Sequence, residues 1–121
     1  MQNAEQIVER YLAVFNETDA WQRSTLLDSL FASDGTYTDP HVDLCGPREI
    51  GDFVAQTQGH FPGFTFRLAS PVDAHHDQAR FQWQAGPEEE PDRYVGFDVI
   101  VADHDGLIHG VYGFTDAAPA A

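Results

Sequence analysis

The apolar pattern of this chain changes period at Pro62-Gly63, and that change does most to limit its fold. Before it, apolar residues recur mainly at the spacing of amphipathic helices; after it they alternate, as along half-buried strands. Ile7, Val8, Tyr11, Leu12 and Phe15 form one helical face, and Asn3 followed by Gln6 predicts a capping box at its start. A second helix is predicted from Asp19, its cap, to about Phe31. It should bury Trp21, Leu26, Leu27, Leu30 and Phe31 and stop at Ser33-Asp34-Gly35. Thr36 to Asp39 reads as a short strand ended by Pro40. Gly46-Pro47 opens a third helix, with Pro where its missing N–H costs nothing and Ile50, Phe53, Val54 and Thr57 as the apolar stripe.

Beyond Pro62-Gly63, Phe64, Phe66 and Leu68 share one strand face, and Phe81, Trp83 and Ala85 share a face of the next. His75-His76-Asp77 falls at the turn between them, and residues 86–91 read as an acidic loop. Strands follow near Tyr94–Ala102 and Leu107–Thr115, joined by Asp103-His104-Asp105-Gly106; residues 116–121 should fray. Helices followed by hairpin-linked strands make an α+β pattern, with helices packed on a curved antiparallel sheet that encloses an apolar pocket. A length of 121 residues suits one domain spanning 1–121. The last two long strands are apolar on both faces, and Phe81, Trp83, Val99, Val101, Val111 and Phe114 give more strand-borne apolar surface than three short helices can cover, which predicts a homodimer through the exposed sheet face.

Charge narrows the function. Twenty acidic residues oppose six basic ones, a formal charge of -14. Nucleic-acid binding needs cations to replace counterions on phosphate, and an anionic membrane would be repelled, so neither partner is expected. A small-molecule ligand, neutral or cationic, fits better. All six basic residues are Arg; the absence of Lys removes Schiff-base and pyridoxal-phosphate chemistry. No apolar run reaches the roughly 18 residues of a membrane span. The first residues lack a secretory pattern, and the single Cys45, read as structural, fits a reducing cytoplasm.

Three polar groups stand where apolar residues are expected: Tyr11 on the first helical face, Asp39 at the end of the first strand, and Asp98 inside Tyr94-Val95-Gly96-Phe97-Asp98-Val99-Ile100-Val101. A buried carboxylate costs several kcal/mol, by rough estimate, unless paired. Each has a plainer reading. Asp39 before Pro40 suits a turn, Tyr11 suits a core, and Asp98 could pair with Arg67 or Arg80.

Together with Val8-Glu9-Arg10-Tyr11, Phe31-Ala32-Ser33-Asp34-Gly35-Thr36-Tyr37-Thr38-Asp39-Pro40, Gly46-Pro47-Arg48-Glu49-Ile50, Gly96-Phe97-Asp98-Val99 and Asp105-Gly106-Leu107-Ile108, these residues give a resemblance. From Val8 to Phe114 the chain resembles SnoaL-like proteins of the nuclear transport factor 2-like superfamily, relatives of ketosteroid isomerase and polyketide cyclases. The resemblance implies three helices on a sheet that forms a cone-shaped pocket. It places Tyr11 at the oxyanion-donor tyrosine of ketosteroid isomerase, Asp39 at its general base, and Asp98 at its second donor. Enolisation needs such a base at carbon and such donors at oxygen.

Phe15, Tyr37, His41, Phe53 and Phe64 are expected to line the pocket, with one of His109 and Tyr112, which lie on opposite faces of the last strand. His41 and Asp43 after Pro40 make its entrance more polar. Neither a metal nor a cofactor is expected. The leading expectation is a cofactor-independent acid–base enzyme, an isomerase or cyclase, acting on a neutral, mainly apolar carbonyl compound. Beside it stand a non-catalytic ligand- or partner-binding domain and, third, a hydrolase or dehydratase in which the acids activate water.

Overall fold

In the computed structural model, which describes Met1 and residues 3–119, the helices α1 (Ala4–Asn16), α2 (Ala20–Leu30) and α3 (Pro47–His60) pack against one curved sheet. Its strands are β1 (Phe31–Thr38), β2 (Asp43–Cys45), β3 (Thr65–Leu68), β4 (Asp73–His75), β5 (Gln78–Gly86), β6 (Tyr94–Ala102) and β7 (Ile108–Ala117). They run in the order β2-β1-β7-β6-β5-β3, with β4 pairing β5. The expected antiparallel sheet is therefore mixed: β1 joins β7 in parallel, while the other ladders are antiparallel.

α1 buries Val8, Tyr11, Leu12 and Phe15, as its spacing predicts, against Phe81, Ile100, Ile108 and Val111 of the sheet. No capping box forms at its start. Asn3 adopts the left-handed conformation (φ 56°) without a side-chain cap bond, where a capping residue would be extended. Its carbonyl still accepts the Ile7 N–H at 3.0 Å. Asp19 does cap α2, accepting the Gln22 N–H at 2.9 Å.

α2 is turned differently from expectation. Arg23, Leu27 and Leu30 form its buried i, i+4, i+7 stripe, and Trp21, about 200° round the helix from Arg23, is 80% exposed. Arg23 earns its burial by bonding: its Nη1 donates to the Glu17 carbonyl at 2.8 Å and to Gln58 Oε1 at 3.1 Å. Gln58 Nε2 in turn donates to the carbonyls of Phe15 and Glu17. The guanidinium thus satisfies the C-terminal end of α1, where a cation also meets the negative pole of the helix.

Other boundaries also move. Phe31 starts β1 rather than ending α2, and residues 33–35 lie inside that strand as an irregularity, because pairing with β7 slips between Phe31↔Ile108 and Thr36↔Gly110. Cys45 is exposed on the edge strand β2, so it has no packing role. Asp116 and Ala117 extend β7, paired through Val95↔Ala117, instead of fraying; Ala120 and Ala121 lie outside the described residues. No helix among the described residues is long and apolar enough to cross a membrane.

Candidate active site

A cavity of about 270 Å³ opens between the helices and the concave face of β5, β6 and β7. Tyr11, Tyr37 and Asp98 form its buried end; Phe15, Phe53, Phe66 and Trp83 form its walls; His41, His60, Phe61, Phe64 and Tyr94 stand towards its mouth. The three residues given the sequence-based catalytic roles, Tyr11, Asp39 and Asp98, therefore face one cavity.

Asp98 is 5% exposed, because alternation along β6 turns Gly96, Asp98, Ile100 and Ala102 to the same inner face. Its Oδ2 accepts the Tyr11 hydroxyl at 2.7 Å and its Oδ1 accepts Trp83 Nε1–H at 3.0 Å. Trp83 pairs in register with Gly96, and a Cβ on Gly96 would come within 2.5 Å of the indole. Only a glycine lets the indole lie across β6 to reach the carboxylate. Burial pushes the Asp98 carboxyl up to about 6; the bonds from Tyr11 and Trp83 hold it down, and the charge of Asp39 raises it further. Arg80 pairs with Asp73 at 3.0 Å and Arg67 is exposed, so the ion-pair reading of Asp98 gives way to two neutral donors.

Asp39 follows β1 and does two jobs. Its Oδ1 accepts the backbone N–H groups of His41 (2.8 Å) and Val42 (3.1 Å), which is the turn its sequence suggests. Its Oδ2 accepts the Tyr37 hydroxyl at 2.8 Å. Both phenols are driven well above their ordinary pKa, first by burial and then by the Asp98 charge, and so remain neutral donors. Two tyrosine–aspartate pairs, Tyr11–Asp98 and Tyr37–Asp39, meet over Gly113 of β7. A Cβ there would sit 2.9 Å from Asp98 Oδ1 and 3.4 Å from Asp39 Cβ.

Phe15, Tyr37, His41, Phe53 and Phe64 line the cavity as expected, although Phe64 precedes β3 rather than lying in it. His109 and Tyr112 do not line it; both are exposed. The cause is a break in register, Val101↔Gly110 followed by Ala102↔Ile108, which inserts His109 as an extra residue. The face of β7 switches there, so Ile108 and Val111 both point inward while His109 and Tyr112 do not. Gly113 and His60 are not singled out by sequence, which assigns Trp83 to the dimer face rather than to the site. Alternation does put Trp83 on the inner face, but its partner on the next strand is invisible without the register. Among the described residues no three His, Cys, Asp or Glu side chains group as metal ligands.

Helices on the concave side of a curved sheet, closed around an apolar pocket with buried acids, define the nuclear transport factor 2-like class of folds. Within that class the chain belongs to the SnoaL-like domain family, whose model matches residues 8–111. It superposes with a TM-score of 0.91 on a SnoaL-like family protein from Agrobacterium tumefaciens, proposed to be an isomerase, at 32% identity over 97% of this chain and 100% of that one. A protein from Sinorhizobium meliloti, proposed to be a polyketide cyclase, matches at 14% identity and TM-score 0.71 over 89% of this chain and 93% of that one. A SnoaL-like protein from Jannaschia sp. CCS1, also proposed to be a polyketide cyclase, matches at 16% and 0.71 over 96% of this chain and 89% of that one. These last two likenesses show the fold alone. No protein of curated function matches the chain.

Proposed function

We propose that this protein is a cofactor-independent acid–base enzyme that isomerises or cyclises a neutral, mainly apolar carbonyl compound through an enolate. The observation that carries the reading is the meeting of Tyr11–Asp98 and Tyr37–Asp39 over Gly113 in one apolar cavity. Asp39 removes a proton from the carbon beside the carbonyl. Its Oδ1 is held by the backbone, which aims Oδ2, and an ionised carboxylate oxygen keeps a lone pair after accepting the Tyr37 bond. The carbonyl oxygen takes hydrogen bonds from Tyr11 and from protonated Asp98 as its negative charge develops. In isomerisation Asp39 then returns the proton to a second carbon; in cyclisation the enolate carbon bonds to a second carbonyl carbon of the same molecule and the proton returns to the alkoxide so formed, so charge and protons balance in both cases.

For Tyr11 to face a ligand, Asp98 must first be protonated, since its charged form draws the phenol proton to itself. With a carboxyl near 6, that costs about 1.4 kcal/mol at pH 7. The cost is small beside the several kcal/mol that oxyanion donors supply.

Exchange of α-hydrogen for deuterium on simple cyclic ketones, followed by NMR, tests the reading. Catalysed exchange by the native protein, lost by orders of magnitude in Asp39→Asn, is expected; equal exchange by the two sinks it. A second reading, a binding domain without catalysis, draws on the fact that both phenols and Asp39 Oδ1 are already engaged in internal bonds. It requires ligand binding with no exchange.

We further propose that the chain pairs with a second copy through the outer sheet face. Phe81, Trp83 and Val111 are not available to it, because they pack inward or line the cavity. Phe97, the half-buried Val99 and Val101, and the exposed Tyr112 remain; Phe114, stacked on Phe97 at 4.8 Å, is half exposed but also reaches the cavity.

A further inference from the structure

We infer that the cavity selects a planar, neutral carbonyl compound of about two fused rings, and rejects four-ring ligands. This inference rests on the acid–base reading for the placement of the carbonyl, but on the shape and lining of the cavity for the size and class.

The cavity measures about 270 Å³. A cavity of about 150 Å³ holds benzene, roughly 25 Å³ per non-hydrogen atom, and at that ratio this one holds about eleven. A two-ring ketone has about eleven and fills it; a four-ring ketone, with about twenty, needs nearly twice the space, and close-packed interiors yield little. The walls explain planarity. Phe15, Phe66 and Trp83 follow one another at centroid separations of 5.1 and 6.1 Å, and Tyr37 and Phe53 face each other at 5.4 Å. Such surfaces offer ring faces and edges to a flat conjugated ligand.

The mouth adds a second restriction. Phe61, Phe64 and Tyr94 pack mutually at 5.1 to 5.9 Å, with the Arg93 guanidinium 5.6 Å over the Phe64 ring. Glu90 holds Arg93 at 2.8 Å, so the rim is braced from behind. Anions are excluded at the inner end, where Asp39 and Asp98 flank Gly113 and no Lys or Arg among the described residues lines the cavity. A carboxylate ligand would meet two like charges there. A ketone enters oxygen-first and leaves its rings between the aromatic walls.

The chain has two tryptophans, which give the test its reporter. Trp83 donates to Asp98 inside the site, whereas Trp21 is 80% exposed on α2. The indole N–H signals of the ¹⁵N-labelled native protein are followed during titration with 2-cyclohexenone, 2-tetralone and a tetracyclic 4-en-3-one steroid. The expected result is a saturating shift of the Trp83 signal, with Trp21 unmoved, at a dissociation constant at least tenfold lower for the two-ring ketone than for the others. Equal or tighter binding of the steroid overturns the size limit, and an unmoved Trp83 signal with 2-tetralone overturns the ligand class. Tight two-ring binding without α-hydrogen exchange supports this inference while sinking the acid–base reading, so the two fail separately.

Discussion

The Trp83 indole donates to Asp98 Oδ1 at 3.0 Å by lying across Gly96, so one aromatic side chain both walls the cavity and holds its most buried acid. Trp83→Phe keeps most of the wall and removes the donor. A hydrogen bond to a charged group contributes about 1.5–3 kcal/mol, and its loss falls on the ionised form of Asp98. The Asp98 carboxyl should then titrate above its native value of about 6. An NMR titration of its side-chain carboxyl carbon checks this; an unchanged or lower midpoint refutes it.

Stability should depend on pH through Asp98. Its folded-state pKa, about 6, lies above the ordinary 3.8. The contribution is therefore fully present below about pH 3.8, fades as pH rises through 6, and leaves the ionised native state penalised above that. The full span is about 3 kcal/mol. Asp98→Asn cannot ionise, so urea unfolding at several pH values should show the variant gaining on the native protein between pH 4 and pH 7. A constant difference across that range would contradict the mechanism.

Gly113→Ala places a methyl group 2.9 Å from Asp98 Oδ1 and 3.4 Å from Asp39 Cβ. Overpacking of that kind costs about 1–3 kcal/mol and pushes the two carboxylates apart. Ketone binding, read from the Trp83 indole signal, should weaken at least tenfold in a protein that still unfolds cooperatively. Native affinity in the variant would show that the space over Gly113 is not used.

Arg23→Met retains bulk but leaves the carbonyl of Glu17 with one donor fewer at the end of α1. Breaking a buried, bonded charge site costs about 2–4 kcal/mol. Thermal unfolding should move down by several degrees at every pH while α-hydrogen exchange at 25 °C persists, since Arg23 lies outside the cavity lining.

A second copy on the outer sheet face brings together two chains of formal charge -14. Added salt screens that repulsion, so dimerisation should strengthen with ionic strength, and Val101→Glu, outside the cavity lining, should abolish it. Sedimentation as a monomer at micromolar concentration, whatever the salt, refutes the pairing.

Much of this was legible in the chain. The spacing of Val8, Tyr11, Leu12 and Phe15 was enough to orient α1, and the polar interruption at Asp98 was enough to locate a buried acid. What escaped were features set by the third dimension. Arg23 is buried because a carbonyl at the end of another helix awaits it, which no local pattern records. His109 and Tyr112 were misplaced because one extra residue in a strand reverses every later side chain. Trp83 and Gly113 owe their importance to cross-strand register, and register is a property of pairs of segments.

The parallel union of β1 with β7 has a consequence for how the molecule comes into being. β7 lies between β1 and β6, so residues 31–38, paired on one side with the short β2, are joined to the rest of the sheet only when residues 108–117 arrive. Such distant pairing is slow, because a long loop must close before any contact rewards it. Until β7 arrives, the helices and the β5–β6 hairpin leave part of their inner faces uncovered, because Ile108 and Val111 of β7 belong to the same core. The strand of this sheet that comes last in chain order is the one that unites it, and it carries Gly113; the cavity and the sheet are completed in the same event.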